Sequence, residues 1–202
     1  MKRAISAVLL ATAGVLAATS AAALPAIGDP IPAAGVKMAN VDGRELSIAS
    51  VAGAKGTLVI FSCNHCPWVR AWEDRIVALA AEAKAKGVGV IAINSNDPSA
   101  YPGDTFDLMK ERATAKGYGF PYVVDATSEV ARAFGATHTP EAFLFDAAGK
   151  LAYHGAIDDN ARDAAKVTQH YLQDAVDAVV AGKPVPTAET KALGCSLQLR
   201  AK

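Results

Sequence analysis

The chain has 202 residues, of which 51% are hydrophobic, and it carries 20 basic and 20 acidic side chains. This length suits one domain with an adequate hydrophobic core, and no repeat, charge block or low-complexity linker divides it. The balanced charge excludes the basic footprint of a protein that binds nucleic acid or an acidic membrane surface.

The N-terminus has the three parts of a secretory signal. A basic start at Lys2-Arg3 is followed by an uncharged, alanine-rich stretch that ends in the small residues Ala21-Ala22-Ala23. We predict a signal peptide over residues 1–23 and export, to the periplasm in a bacterium, with no stable membrane insertion after cleavage. A retained membrane anchor is the alternative, because the apolar stretch is about long enough to span a bilayer. Residues 24–202 are predicted to form a single domain with a cysteine-bearing C-terminal tail.

The first half of this domain begins with strands and one long helix. Residues 36–41 and 45–48 flank Asp42-Gly43, a pattern that predicts a β-hairpin. Residues 57–61 form a short β-branched apolar run, typical of a strand buried on both faces. After it, apolar residues at helical spacing predict a helix that starts near Pro67, where a backbone donor is not needed. The helix residues concerned are Val69, Trp72, Ile76, Leu79 and Ala83.

The second half alternates strands and helices. Apolar runs predict strands over residues 88–93, 122–124, 142–145 and 151–154, the last two as a hairpin. Helical patterns cover residues 105–115, 129–134 and 165–180. Strands linked by helices imply parallel pairing and a sheet covered on both faces, so the fold class is α/β.

The segment Cys63-Asn64-His65-Cys66-Pro67 carries the chemistry, because its two thiols stand where a buried strand meets a helix. Free amide groups and the helix dipole stabilise a thiolate there, which predicts a lowered pKa and a nucleophilic role for Cys63. Cys66 is predicted to resolve the exchange. A positively charged His65 beside the thiolate would favour the reduced form and make a Cys63–Cys66 disulfide a better electron acceptor.

Three other interpretations of the two cysteines are weaker. A structural disulfide closing four residues constrains the unfolded chain by only ~2 kcal/mol in the loop-entropy model. Structural zinc needs a second close pair of ligands, whereas only Cys195 and isolated histidines remain. Covalent haem attachment needs a histidine after the second cysteine, where Pro67 stands.

Cys195 makes the cysteine count odd, so one thiol remains if Cys63 and Cys66 pair. It is a spectator thiol, a resolving cysteine that folds back onto Cys63, or an intermolecular link. We favour the first of these roles.

These features together resemble the thioredoxin-fold family. The resemblance rests on the CxxC corner, the alternation that follows it, and Thr137-His138-Thr139-Pro140 before an apolar strand. It points to the redoxin branch, which holds the peroxiredoxins and the exported thiol:disulfide oxidoreductases. Residues 61–68 and Gly194-Cys195-Ser196 are similar to a bacterial peroxiredoxin-like subgroup. The implied fold is a central mixed sheet with helices on both faces, here with an N-terminal β-hairpin extension.

The resemblance also implies a substrate site. Thr139-Pro140 would be a cis peptide bond that faces the disulfide, and its backbone would pair with an incoming thiol-bearing peptide. Trp68 lies near enough to Cys66 in sequence to contribute to the same surface. The implied partners are a thiol- or disulfide-bearing protein and an electron donor or acceptor, with no cofactor beyond the Cys63–Cys66 disulfide.

Departures from the family pattern bear on the activity. Thioredoxins carry a buried acid six residues before the first cysteine, where this chain has Thr57. Peroxiredoxins carry a threonine at the position of Cys63 and a downstream arginine, whereas this chain has Thr139-Pro140-Glu141. Efficient peroxide reduction needs such donors around the developing charge, so weak peroxidase activity is expected.

The leading hypothesis is therefore an exported thiol:disulfide oxidoreductase that uses Cys63 and Cys66. A thiol-dependent peroxidase with an antioxidant role is the enzymatic alternative. A Cu(I)-binding or delivery module is the other, since His138 is expected to approach the thiols and two cysteines with a histidine make a soft copper site. The sequence predicts no oligomeric state.

Overall fold

The computed structural model describes residues 23–201, so the predicted signal peptide, apart from Ala23, lies outside the described residues. Four α-helices are found in this part of the chain: Pro67–Ala85 (α1), Phe106–Ala115 (α2), Glu129–Phe134 (α3) and Tyr171–Val180 (α4). The strands are Met38–Asn40 (β1), Glu45–Leu46 (β2), Gly56–Phe61 (β3), Val88–Asn94 (β4), Tyr122–Val124 (β5), His138–Thr139 (β6), Glu141–Asp146 (β7), Leu151–Gly155 (β8) and Cys195–Ser196 (β9). None of the described helices has the length and apolar character needed to cross a membrane.

The central sheet is mixed. Strands β2, β1, β5 and β4 lie in that order, with β4 and β5 parallel and the other pairs antiparallel. Strands β3, β7 and β8 follow as antiparallel neighbours. At the junction of the two groups the Ser62 N–H donates to the Ile93 carbonyl oxygen at 2.9 Å. The predicted β1–β2 hairpin forms around Asp42-Gly43, so the N-terminal extension of the sheet is confirmed.

The two faces of the sheet bury separate hydrophobic clusters, which follow from the alternation of side chains along β3. Leu58 and Ile60 belong to a cluster that includes residues of three helices: Trp72 of α1, Met109 of α2 and Leu172 of α4. Val59 and Phe61 belong to the opposite cluster, which includes Val130, Ala131 and Phe134 of α3. Helices therefore cover both faces, as predicted.

The last helix starts later than predicted. It begins at Tyr171, after a short 3-10 turn at Ala164–Lys166. In the gap between them, Thr168 donates from both its N–H and its hydroxyl to the carboxylate of Asp159. Such side-chain bonds offer the backbone an alternative to helix, which explains why the predicted start at residue 165 is wrong.

The strands β6 and β9, of two residues each, were not predicted. They pair antiparallel, with His138 opposite Ser196 and Thr139 opposite Cys195. The Thr139-Pro140 peptide bond between β6 and β7 is cis, which confirms the prediction. The C-terminal tail, defined here as residues 188–201, thereby lies against the segment that was expected to face the cysteines.

Candidate functional site

The cysteines lie at the corner between β3 and α1. Strand β3 ends at Phe61, and α1 begins at Pro67 with Cys66 as its N-cap residue. Cys66, not Cys63, therefore stands at the positive end of the helix dipole. Both cysteines are fully buried, at 0% exposure, so a partner protein does not reach the Cys63 sulfur in this state.

The disulfide joins Cys66 to Cys195, which lies 129 residues further along the chain, with a Cα–Cα distance of 6.1 Å. Cys63 is a free thiol. The predicted Cys63–Cys66 pairing is therefore wrong for this state, and so is the spectator role favoured for Cys195. The pairing of β9 with β6 explains the difference, because it places Cys195 opposite Thr139, whose carbonyl oxygen lies 3.2 Å from Cys66 Sγ.

The surroundings of Cys63 raise the pKa of its thiol, whereas the sequence analysis predicted a lowered pKa. Burial, and after it the negative charge of Asp104, raise the pKa of the Cys63 thiol to about 11. Hydrogen bonds from the Thr139 hydroxyl and from the backbone of Cys66 and His65 act in the other direction but are outweighed. The Cys63 sulfur lies 3.1 Å from Thr139 Oγ1. At neutral pH the free thiol is therefore almost entirely protonated.

Asp104 is a site residue that the sequence analysis missed. Its buried carboxylate accepts hydrogen bonds from the Asn64 N–H and from Asn96 Nδ2, each at 2.7 Å. It also lies 2.7 Å from His65 Nδ1, and the His65 ring packs at a tilt against Tyr101 with 4.0 Å between centroids. The acid comes from the 3-10 turn Pro102–Asp104, far from the CxxC segment in sequence. A buried acid is thus present near the cysteines although Thr57 occupies the usual position of one.

The C-terminal tail covers the corner as an added strand. The Leu197 N–H donates to the Thr137 carbonyl oxygen at 2.9 Å, next to the two paired residues of β9. Gly194 lies so close to the cis peptide that a Cβ at this position would stand 2.2 Å from the Thr139 carbonyl oxygen. Only glycine lets the tail approach Thr139 this closely.

Further contacts hold both ends of the tail. Upstream of Cys195, the Thr190 hydroxyl accepts from the Ala156 N–H at 2.9 Å and contacts the Tyr153 hydroxyl at 2.8 Å. Downstream, the Gln198 N–H donates to Asn96 Oδ1 at 2.9 Å. The Arg200 guanidinium donates to the Asp125 carbonyl oxygen at 2.8 Å. The disulfide is therefore one fastening among several along this segment.

Glu141 holds the turn beneath β6. Its carboxylate accepts from the N–H groups of Thr137 and His138 at 2.8 and 3.0 Å, and it pairs with His154 Nε2 at 2.7 Å. Burial alone would raise the pKa of Glu141, but these hydrogen bonds and the adjacent His154 outweigh it and lower the pKa from its usual 4.5. The carboxylate thus remains ionised and fixes the backbone that leads into Thr139.

Comparison with known proteins identifies the family to which this chain belongs. The Redoxin family model matches residues 26–170. The chain belongs to the Redoxin family. The tail that supplies Cys195 lies beyond the matched segment of this redoxin.

Individual relatives agree with the fold. The crystal structure of an uncharacterized conserved protein from Geobacillus kaustophilus is 37% identical, with a TM-score of 0.82, and the match covers 88% of this chain and 94% of that one. A thiol:disulfide interchange protein of the thioredoxin family from Chlorobium tepidum TLS is 23% identical, with a TM-score of 0.58, over 77% and 99% of the two chains. It supports the thioredoxin-like fold alone.

One curated relative, the thiol-disulfide oxidoreductase ResA of Halalkalibacterium halodurans, is 26% identical over 113 residues. The match covers 55% of this redoxin and 59% of ResA, less than two thirds of the relative's length.

The structure locates the predicted substrate residues around the disulfide. Thr139 contacts both Cys63 and Cys66. Trp68, in the first turn of α1, packs against the cysteine cluster and lines a shallow cavity of about 250 Å³ with Pro67, Ala71, Ala161 and Arg162. A role for Trp68 and Pro140 in binding a substrate stays a prediction, as does the catalytic role of His65.

The copper ligands considered for this chain are not assembled. Cys66 is in the disulfide, and His138 Nδ1 contacts the Thr137 hydroxyl at 2.8 Å. Within residues 23–201, the one group of three potential ligands is Cys63, His65 and Asp104, whose ligand atoms lie within 4.8 Å of one another. Its Asp104 oxygens are already bonded to neighbours, and its thiol is protonated at neutral pH, so its donors suit a hydrogen-bonded network better than a cation.

Proposed function

We propose that this redoxin is an exported thiol:disulfide oxidoreductase whose redox-active disulfide is Cys66–Cys195. The observation that carries the proposal is the position of this disulfide. One sulfur belongs to the N-cap residue of α1, at the CxxC corner, and the other to a half-buried residue of the tail. The name of the ResA relative, a thiol-disulfide oxidoreductase, supports the same reaction class.

The geometry favours attack on the tail sulfur. Cys195 is half-buried whereas Cys66 is fully buried, so the thiolate of a partner protein reaches Cys195 Sγ first. The new bond joins the partner sulfur to Cys195, and the Cys66–Cys195 bond breaks. Cys66 leaves as a thiolate, which the free amide groups and dipole at the start of α1 stabilise.

A second thiolate of the partner completes the reaction. It attacks the partner sulfur that is bound to Cys195, forms the partner disulfide and expels the Cys195 thiolate. The partner dithiol has then lost two electrons and two protons, and Cys66 and Cys195 are both thiols. The same steps in reverse reduce a partner disulfide, so the relative reduction potentials set the direction.

Export is part of the proposal for two reasons. The N-terminal residues have the order of a secretory signal, basic, then apolar, then small. A disulfide that closes a large part of the chain also persists in an oxidising compartment and not in the cytosol.

The activity is tested by mixing the oxidised protein with a reduced dithiol peptide and following formation of the peptide disulfide. We expect turnover by the wild type and only the buffer rate for Cys66→Ser. Ser196→Ala, which alters the exposed neighbour of Cys195, is the matched control and should keep the wild-type rate. A Cys66→Ser protein as fast as the wild type would remove the proposal. Hydroperoxide consumption with dithiothreitol tests the peroxidase alternative on the same samples.

A further inference from the structure

The proposed reaction leaves Cys63 unused, although its surroundings connect it to the disulfide. Its sulfur contacts the Thr139 hydroxyl, while Cys66 Sγ lies 3.2 Å from the Thr139 carbonyl oxygen. Cys63, Cys66 and Val69 form one buried cluster, against which Cys195 packs. A free thiol is thus enclosed with the disulfide in the same small volume.

We propose that Cys63 is an internal nucleophile that moves the disulfide from Cys66–Cys195 to Cys63–Cys66 and thereby releases the C-terminal tail from β6. This inference rests on the proposed function, because it takes the Cys66–Cys195 disulfide to be exchangeable. It gives Cys66 the role of the sulfur common to both disulfides. Cys63 and Cys195 then alternate as its partner and as the free thiol.

The step balances without an external oxidant or reductant. The Cys63 proton passes to the Asp104–His65 pair, which lies within 4.8 Å of the Cys63 sulfur and reaches solvent through His65. The Cys63 thiolate attacks Cys66 Sγ, the Cys63–Cys66 bond forms, and the Cys66–Cys195 bond breaks. Cys195 leaves as a thiolate and takes a proton from solvent. One thiol and one disulfide are present before and after.

The tail is built so that this exchange changes its position. Strand β9 has two residues, and Cys195 is the one paired with Thr139. Without the covalent bond, strand β9 itself is held by the close approach at Gly194 and by the Leu197 N–H bond to Thr137. Gln198 and Arg200 still hold the tail downstream. Thr190 keeps the tail attached upstream, because its hydroxyl bonds to Ala156 and Tyr153.

Release of the tail exposes the backbone of β6. A two-residue strand with free N–H and C=O groups accepts an extended peptide in place of β9. The same movement carries Cys195 outward as a free thiol. In the isomer with the Cys66–Cys195 disulfide, the tail therefore occupies the strand edge on which a thiol-bearing protein partner would pair.

This transfer of the disulfide from Cys66–Cys195 to Cys63–Cys66, called the relay below, is tested by finding which cysteine carries the free thiol of the native oxidised protein. We incubate it with iodoacetamide and map the labelled residue by proteolysis and mass spectrometry. The relay predicts label on Cys195. Where attack by the Cys63 thiolate limits the rate, labelling becomes about tenfold faster for each unit by which the pH rises toward the pKa of Cys63. In Cys63→Ser no label should appear on Cys195. Label on Cys63 alone, or none on Cys195 by the time the unfolded protein is fully labelled, overturns the proposal.

Gly194→Ala provides a test that leaves every cysteine in place. The new Cβ would stand 2.2 Å from the Thr139 carbonyl oxygen, so it pushes the tail from β6. This favours the isomer with the Cys63–Cys66 disulfide and a released tail. Overpacking of this kind disfavours the packed arrangement enough to shift an equilibrium about tenfold or more. We therefore expect Cys195 labelling to increase by about that factor. Gly35→Ala is the matched control, because a Cβ there meets no atom within 4 Å. Equal labelling of Cys195 in both variants would contradict the proposal that the close contact at Gly194 holds the tail against β6.

The two proposals fail in different ways. If the wild type oxidises a dithiol peptide but Cys195 is never alkylated in the native oxidised protein, the oxidoreductase proposal stands and the relay is wrong. If the wild type does not oxidise the peptide and Cys195 also resists alkylation, both are wrong.

Discussion

At the scale of single residues, the decisive contrast is between the two cysteines of the CxxC segment. Cys66 caps α1, while Cys63 lies before the helix and next to the buried Asp104. The helix dipole acts within the first turn only, so its benefit belongs to Cys66. Burial and a neighbouring carboxylate both disfavour a thiolate, and they decide the state of Cys63.

We expect Asp104→Asn to lower the pKa of Cys63 from about 11 while burial keeps it above the usual 9.0. The change removes the negative charge that opposes the thiolate and leaves the burial in place. Thiolate ultraviolet absorbance against pH measures this in a Cys66→Ser, Cys195→Ser background, where Cys63 is the sole thiol. Asp107→Asn, which alters an exposed acid of α2, is the control and should not shift the titration. An unchanged or higher pKa in Asp104→Asn contradicts the account.

The sequence predicted the reactive residue types but not their partners. The CxxC pattern identified Cys63, His65 and Cys66, because their spacing is local. Asp104 approaches His65 only through the fold, across 39 residues of chain, and Cys195 approaches Cys66 across 129. No periodic pattern carries such long-range pairings. The odd cysteine count showed that one thiol is left over, but it could not show that this thiol is Cys63.

At the scale of elements, the site depends on two short strands and on the turn that leads into them. The strands predicted by long apolar runs are all present, since burial on both faces leaves a strong pattern. Strands β6 and β9 leave no pattern, because two residues are too few to show an alternation. Their positions follow instead from the cis peptide, from Gly194 and from the bonds of Glu141.

Glu141→Ala should lower the free energy of unfolding by about 3 kcal/mol, because it leaves buried hydrogen-bond donors without their charged acceptor. The loss leaves the N–H groups of Thr137 and His138 and the ring of His154 without their acceptor. Urea denaturation at neutral pH, where the Glu141 carboxylate is ionised, measures the difference. Glu111→Ala, an exposed change in α2, should stay within ~0.5 kcal/mol of the wild type. A Glu141→Ala protein as stable as the wild type would show that this turn is held by other contacts.

At the scale of the whole molecule, the disulfide connects the N-terminal end of α1 to the tail and so encloses most of the domain. The two cysteines are 129 residues apart. In the loop-entropy model a closed loop of this length stabilises the folded state by up to ~5 kcal/mol. The bonds of Thr190, Gln198 and Arg200 fasten the tail independently of it.

The oxidised protein should therefore be more stable than the reduced protein, by no more than ~5 kcal/mol. The unfolded chain loses conformational freedom when it is cross-linked, whereas the folded chain loses little. Guanidinium denaturation with and without dithiothreitol measures the difference. In the presence of dithiothreitol, Cys195→Ser should match the reduced wild type. A reduced protein with unchanged stability would mean that the cross-link does not constrain the unfolded chain.

Fold class and layer order were predictable because they depend on periodicity and on the order of strands and helices. The pairing of the tail was not, because the tail lies outside any apolar pattern and is held by single polar contacts. Its position nevertheless decides which sulfur is accessible. The chemistry of the site is thus a property of the whole chain and not of the CxxC segment alone.

The central claim, that Cys66–Cys195 is a redox-active disulfide and not a structural one, is tested most directly by a redox titration. The protein is equilibrated in glutathione or dithiothreitol buffers, quenched by alkylation and mapped by mass spectrometry. The account predicts a single two-electron transition at Cys66 with a midpoint between about −270 and −120 mV, the range of thiol:disulfide exchange proteins. A disulfide that remains intact below about −300 mV, as structural disulfides do, would contradict it.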